Sequence, residues 1–182
     1  PLLRSTTGLK LTHVASSQAA QVKQQLGADV TVLADYTAAV QLADIDLVVI
    51  ASPNDSHAPL AELALRAGKH VVVDKPFALT FKEAKALTAL ATEQKLLLSV
   101  FHNRRFDADF LSLQHLLNSA QLGQVAHLES RFDRFRPQVR QRWREQAGPG
   151  AGLWFDLGPH LLDQALHYRK GNLYIMIADN KD

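Results

Sequence analysis

The chain has no cysteine, which excludes a disulfide framework and any thiolate-held metal. That composition fits a reducing compartment, and a cytoplasmic location is the expectation. No run of eighteen apolar residues occurs, so no segment reads as a membrane-spanning helix. Neither sign of charge is in excess: 20 Lys and Arg stand against 18 Asp and Glu, a net +2 that by itself points to no polyanionic partner. The chain begins at Pro1, so no targeting signal is read from it. What remains, 47% hydrophobic and 21% charged over 182 residues, is the balance of a globular protein with a true core, long enough for one domain and part of another.

Apolar runs alternate with helical stretches. Residues 9–15, 30–33, 46–51, 70–73 and 96–100 read as strands. The run Ile45-Asp46-Leu47-Val48-Val49-Ile50-Ala51 predicts a central parallel strand covered on both faces. Ser16 or Ser17 is placed to cap a helix that ends at Gly27, with the glycine taking the left-handed conformation. Asp35 caps a helix through Ala43, a third helix runs from about His57 to Ala67, and Thr80 with Glu83 forms a capping box for a fourth, reaching about Gln94. Strands and helices at this spacing require a parallel sheet with crossovers, an α/β doubly wound, Rossmann-type fold.

After Arg105 the rhythm changes. A helix near 107–119 precedes residues 124–136, whose alternation predicts an antiparallel strand with one wet face. The domain boundary is placed near residue 103: residues 1–103 as a dinucleotide-binding domain and 104–182 as the start of an α+β substrate domain with antiparallel sheet.

In open parallel sheets ligands bind beyond the carboxyl ends of the strands. Two loops lie there: Ser52-Pro53-Asn54-Asp55-Ser56-His57 and Asp74-Lys75-Pro76. The first is also simply good turn chemistry, and the second presents a lysine that on another surface would be commonplace. Farther on, Asp156 and His160 are four apart, one face of a helical turn, with Pro159 taken as part of the helix start. A carboxylate beside an imidazole can orient it as a general base, or be an ordinary surface pair.

Taken in order, Ala51-Ser52-Pro53-Asn54…His57, Ala67-Gly68-Lys69-His70-Val71, Asp74-Lys75-Pro76, Asn103-Arg104-Arg105-Phe106 and Asp156-x-Gly-x-His160 resemble the Gfo/Idh/MocA oxidoreductases, the family of glucose–fructose oxidoreductase and inositol dehydrogenase. The resemblance covers roughly residues 1–167. Asp74, where the family usually has Glu, is similar to a bacterial subgroup.

The resemblance implies an NAD(P)-dependent oxidoreductase that transfers a hydride between a nicotinamide cofactor and a secondary alcohol of a sugar, polyol or related small molecule. It implies that Ser16, Ser17, Ser52, Pro53, Asn54, His57, Asp74 and Lys75 line the cofactor. It further implies that Asn103, Arg105, Trp154 and His160 meet the substrate, and that Lys75, His160 and Asp156 carry catalysis, with no metal. A homo-oligomer through the substrate-domain sheet is expected. Ser16-Ser17 after the strand ending near Ala15 leave room for a ribose 2′-phosphate, which favours NADP over NAD.

The family's first strand and glycine-rich phosphate loop would precede Pro1, its large antiparallel sheet would extend beyond Asp182, and residues 168–182 do not match it. These 182 residues are therefore expected to be inactive alone. Two other readings compete. One is a family fold without dehydrogenase activity, or one using transient redox for another reaction. The other is an anion- or nucleic-acid-binding module built on Arg131, Arg134, Arg136, Arg140, Arg142 and Arg144, which alternate with Phe132, Phe135 and Trp143; a charge run of this kind is more often a solvated face, and no nucleic-acid partner is expected.

Overall fold

The structure is a computed structural model that describes residues 2–27, 29–133, 135, 137–138 and 146–168. Within them the order is α1 (Leu2–Ser5), β1 (His13–Ala15), α2 (Ala19–Leu26), β2 (Thr31–Leu33), α3 (Tyr36–Val40), β3 (Leu47–Ile50), α4 (His57–Arg66), β4 (His70–Asp74), α5 (Phe81–Gln94), β5 (Leu98–Phe101), α6 (Ala108–Asn118) and α7 (Leu153–His167). Single 3-10 turns at Asn54–Ser56 and Asn103–Phe106 follow β3 and β5. No helix among the described residues is long and apolar enough to cross a membrane.

Every strand pair is parallel, as the alternating pattern requires. All five expected strands form, but in two sheets rather than one. β1 pairs with β2, and a separate sheet has the order β3-β4-β5. Helix α3 touches both β1 and α4 and so spans the two. β3 is therefore an edge strand, not the doubly covered centre expected from its unbroken apolar run, and Val49 is 41% exposed. β4 takes the central place. Val71 and Val73 on one of its faces are fully buried, and Leu47↔His70 and Val71↔Leu98 set its register on either side.

The core is the packing of α4 and α5 over that sheet. Ala61, Ala64 and Leu65 of α4 have no exposed surface, and Leu87 and Ala91 of α5 join Val71 and Val73 in the same cluster. Two alanines let the α4 backbone approach the sheet closely, which fixes the height of the loop that precedes His57.

Helix ends follow the expected chemistry in part. Asp35 accepts from the Thr37 amide at 2.8 Å. Thr80 and Glu83 make the full capping box, Thr80 Oγ1 accepting from Glu83 N and Glu83 Oε2 accepting from Thr80 N. Neither serine caps α2. Ser16 Oγ accepts from the Gln18 amide, a local turn that competes with the cap, and the helix starts at Ala19. Gly27 ends α2 with φ +83° and ψ −178°, a region reserved for glycine but not the left-handed helical one. α3 stops at Val40, short of Ala43.

The expected strand at 124–136 is not present where it can be judged: residues 124–133 form no ladder and are mostly exposed. A strand exists only through its partner, and alternation along one segment supplies none. Arg134, Arg136, Arg140, Arg142, Arg144 and Trp143 lie outside the described residues, as do 169–182. Arg131 is paired with Glu129 on the surface.

Losing the capping box should weaken the fold without altering its shape. Thr80→Ala is expected to cost about 1 kcal/mol, read as a lower urea midpoint with an unchanged slope.

Candidate active site

β3 and β4 are neighbours in register, so the loops that leave their carboxyl ends lie side by side. His57, 1% exposed at the first turn of α4, joins them. Its Nε2 lies 2.9 Å from the Ser52 carbonyl and its Nδ1 2.7 Å from the Pro76 carbonyl. The first loop is further closed by the Ser52–Ser56 hydroxyl pair and by Ser56 donating to the Pro53 carbonyl. In the second loop Asp74 Oδ1 accepts from the Lys75 amide, and the Lys75-Pro76 peptide is cis.

Lys75 is 8% exposed at the end of the central strand. Burying an ammonium demands acceptors, and α7 supplies them. Nζ donates to the Asp156 carbonyl at 2.6 Å and to Asp156 Oδ1 at 3.0 Å. Asp156 lies in the first turn of α7, whose first helical bond runs from its amide to the Gly152 carbonyl. His160 follows one turn later, 5% exposed, with Nδ1 buried and without a hydrogen-bond partner among the described residues. Asp156 thus holds Lys75 and does not accept from His160 Nδ1.

Burial pushes the His160 pKa down to about 4, with the positive charges of Lys75 and Arg104 adding to the effect and Asp156 opposing it. The ring is neutral across the physiological range. Phe132 packs edge-on against it at 6.4 Å, and the Arg104 guanidinium sits 5.0 Å from the same Phe132 ring.

The helix that carries Asp156 and His160 starts at Leu153, so Pro159 is an interior residue and not part of the start as expected. Lacking an N–H, it leaves the Phe155 carbonyl without its usual helical donor. Gly158 sits one turn after Trp154, and a Cβ there would come 2.8 Å from the Trp154 ring.

The 3-10 turn after β5 is tied to the far end of α7. Arg105 Nε and Nη2 clamp both oxygens of Asp163 at 2.8 and 2.6 Å, and Gln164 donates to the Arg104 carbonyl. Burial alone would raise the Asp163 carboxyl, but the Arg105 hydrogen bonds and the nearby His102 and Arg105 charges hold it below its ordinary value. Burial lowers His102.

Of the residues singled out in the sequence, Ser52, Pro53, Asn54, His57, Asp74, Lys75, Asp156 and His160 come together around the β3 and β4 loops and the start of α7. Ser16 and Ser17 lie at the carboxyl end of β1, Ser16 donating to the Leu33 carbonyl and Ser17 to the Tyr36 hydroxyl. Trp154 is half-exposed on the same first turn as Asp156. Asn103 is exposed on the 3-10 turn, and the Arg105 fork is occupied by Asp163. Sequence reasoning assigned no role to Arg104, His102, Asp163 or Gly150. Asp163 was accessible, since Asp156, His160 and Asp163 recur at i, i+4 and i+7 on one helical stripe.

The fit of a nicotinamide dinucleotide rests on this donor set. The cluster is rich in nitrogens: His160 Nδ1, His102 Nδ1 and Arg104 Nε are all buried without hydrogen-bond partners among the described residues, His102 Nδ1 lying 3.9 Å from Asp163 Oδ1. The mouth of a parallel sheet with a buried lysine at its central strand suits the ring end of such a group.

Similarity to known proteins points the same way. Residues 1–102 match the model of the oxidoreductase family with NAD-binding Rossmann fold, and residues 110–173 match the GFO/IDH/MocA C-terminal domain. The uncharacterized oxidoreductase YdgJ of Escherichia coli is 55% identical over 91% of this chain and 48% of its own length. The scyllo-inositol 2-dehydrogenase (NADP(+)) IolW of Bacillus subtilis is 35% identical over 92% of the chain and 46% of its own length. Among solved structures, an NAD-binding protein from Listeria innocua superposes with a TM-score of 0.83 at 35% identity, over 91% of this chain and 49% of that one. The chain spans about half the length of the curated relatives it matches. With both family models matched in order along a parallel α/β fold, the chain belongs to the Gfo/Idh/MocA family of oxidoreductases.

Proposed function

We propose that this chain supplies the nicotinamide-side loops and the acid–base helix of an NAD(P)-dependent oxidoreductase acting on a secondary alcohol of a sugar, polyol or related small molecule. The observation that carries the reading is the bridge from Lys75, just after the central strand, to Asp156, with His160 one turn farther along the same helix. A hydride-transfer site needs its base and its cofactor-side contact on one hydroxyl, and the Lys75–Asp156 contact one turn before His160 supports that reading.

The residues then divide the work. Ser52, Pro53, Asn54, His57 and Asp74 shape the loops that would hold the dinucleotide, with Ser16 and Ser17 near its ribose. A bound nicotinamide supplies the hydride acceptor or donor. Lys75 has three N–H groups and spends two on Asp156, leaving one for a substrate hydroxyl. His160, neutral at pH 7, takes the hydroxyl proton or returns it. The charges of Lys75 and Arg104 act twice: they weaken the imidazole as a base, and they stabilise the alkoxide that forms beside them. What governs the proton transfer is the difference between the two acidities, so the same cations lower both sides of it.

The small hydroxylated side chains after β1, together with the NADP named for the Bacillus subtilis relative, favour NADP. We place the boundary between the cofactor and substrate parts near residue 103, between the two matched segments.

In the whole protein, Lys75→Ala and His160→Ala should each lower polyol-linked turnover by roughly a hundredfold or more, with cofactor affinity little changed for His160→Ala. Wild-type activity unaffected by both changes would exclude the assignment.

The protonation state of His160 also predicts a stability profile. An unfolded histidine titrates near 6.5, while the folded ring stays neutral to about 4. The unfolded chain therefore binds the extra proton first. Stability from this group is full above about pH 6.5 and declines as pH falls toward about 4. His160→Gln should flatten that part of a plot of melting temperature against pH.

A further inference from the structure

Asn54 opens the 3-10 turn after β3 and is 2% exposed. Its amide does not point back into its own loop. Nδ2 donates to the Gly150 carbonyl at 2.7 Å, across 96 residues of chain. Residues 146–149 are exposed, and Gly150 alone dips into the protein. It does so with φ +74°, where a side chain is strained. A Cβ there would come 2.8 Å from the Asn54 Cβ and 2.7 Å from the end of Leu79. The bond therefore needs a side-chain donor at position 54, and the fit needs a glycine at position 150. Asn54 Oδ1 is also buried with no partner among the described residues, a cost that an apolar residue of the same size would avoid. Space-filling does not explain Asn54.

Two residues, Ala151 and Gly152, separate Gly150 from Leu153, the first residue of α7, and Asp156 follows in that helix's first turn. The start of α7 is thus held at two points. Asn54 holds the entering backbone from the β3 loop, and Lys75 holds Asp156 from the β4 loop. His57 ties those two loops to each other.

We infer that Asn54 is a positioning residue that clasps Gly150 and thereby sets the register of α7, and with it His160, against the cofactor-side loops. The inference departs from a role for Asn54 as a direct cofactor contact. Its consequence for catalysis, but not its geometry, rests on the function proposed above.

The readout is His160 itself, in protein without cofactor. From the elements around it the ring faces Lys75, His102, Arg104, Asp156 and the ring of Phe132. Its titration responds to burial and to Lys75 and Arg104, so it reports how firmly α7 is seated. The test follows the His160 ring by NMR across pH in whole protein carrying labelled histidine, for wild type, Asn54→Leu and Gly150→Ala. Asn54→Leu keeps the volume, adds no charge and removes the donor. Gly150→Ala attacks the clasp from the other side. In variants that keep native methyl dispersion, the His160 midpoint is expected to rise from about 4 by about one unit or more toward its ordinary value. Gly150→Ala should leave NAD(P) affinity within about twofold of wild type, because Gly150 belongs to neither cofactor-side loop. An unmoved midpoint in folded Asn54→Leu overturns the inference, and does so most clearly if cofactor affinity falls at least about tenfold, the mark of a direct contact. Should Gly150→Ala fail to fold, Asn54→Leu decides alone. Variants that show the shifts, in a protein whose wild type oxidises no alcohol, would sink the proposed function and leave the clasp standing.

Discussion

A buried ammonium needs oxygen atoms around it, and the rest of the site follows from where Lys75 finds them. The lysine sits at the end of the central strand, where two neighbouring strands leave no room for solvent to reach it freely. Its acceptors come from a helix that begins more than seventy residues later in the chain. One of the two is a backbone carbonyl, which no substitution at Asp156 removes. The pair therefore fixes a place on the helix as well as a charge, and truncating the Asp156 side chain leaves the buried ammonium with the carbonyl but without its counter-charge. Every other feature of the cleft, from the depth of His160 to the reach of Arg104, is measured from that joint.

The joint stands on a stiff base. Ala61 and Ala64 bring α4 close against the sheet, the buried valines of β4 pack beneath it, and His57 at the head of α4 reaches the carbonyls of both loops. At the opposite end of α7, the Arg105–Asp163 fork ties the helix to the turn after β5. α7 is thereby held near both ends by side chains from the parallel-sheet part, and its reactive face lies between the two attachments.

Much of this was legible beforehand, for reasons that differ by residue. The β4 strand and Asp74-Lys75-Pro76 were readable because a burst of valines closed by a proline has few other interpretations. The capping box of α5 was readable because it is wholly local. The place of β3 was not: an unbroken apolar run says that a strand is sticky, not which neighbours it has, and here it lies at an edge. The strand expected at 124–136 does not form among the described residues of that span for the same reason, since pairing is not written in one segment. Arg105 drew attention by its motif, whereas the Asp163 that occupies its fork could be found only by following the helical stripe from Asp156. Asn54 was marked for the right loop, but its partner is 96 residues away and is a carbonyl that any residue possesses.

The groove that Gly158 leaves on α7 has a practical corollary. It seats the indole of Trp154 on the same turn as Asp156, half in solvent. The only other tryptophan in the sequence is Trp143. Replacing Trp143 with phenylalanine would leave Trp154, beside the candidate cleft, as the one indole of these 182 residues. The colour and quenching of its emission would then register ligands entering the cleft and movements of the helix, without any attached dye.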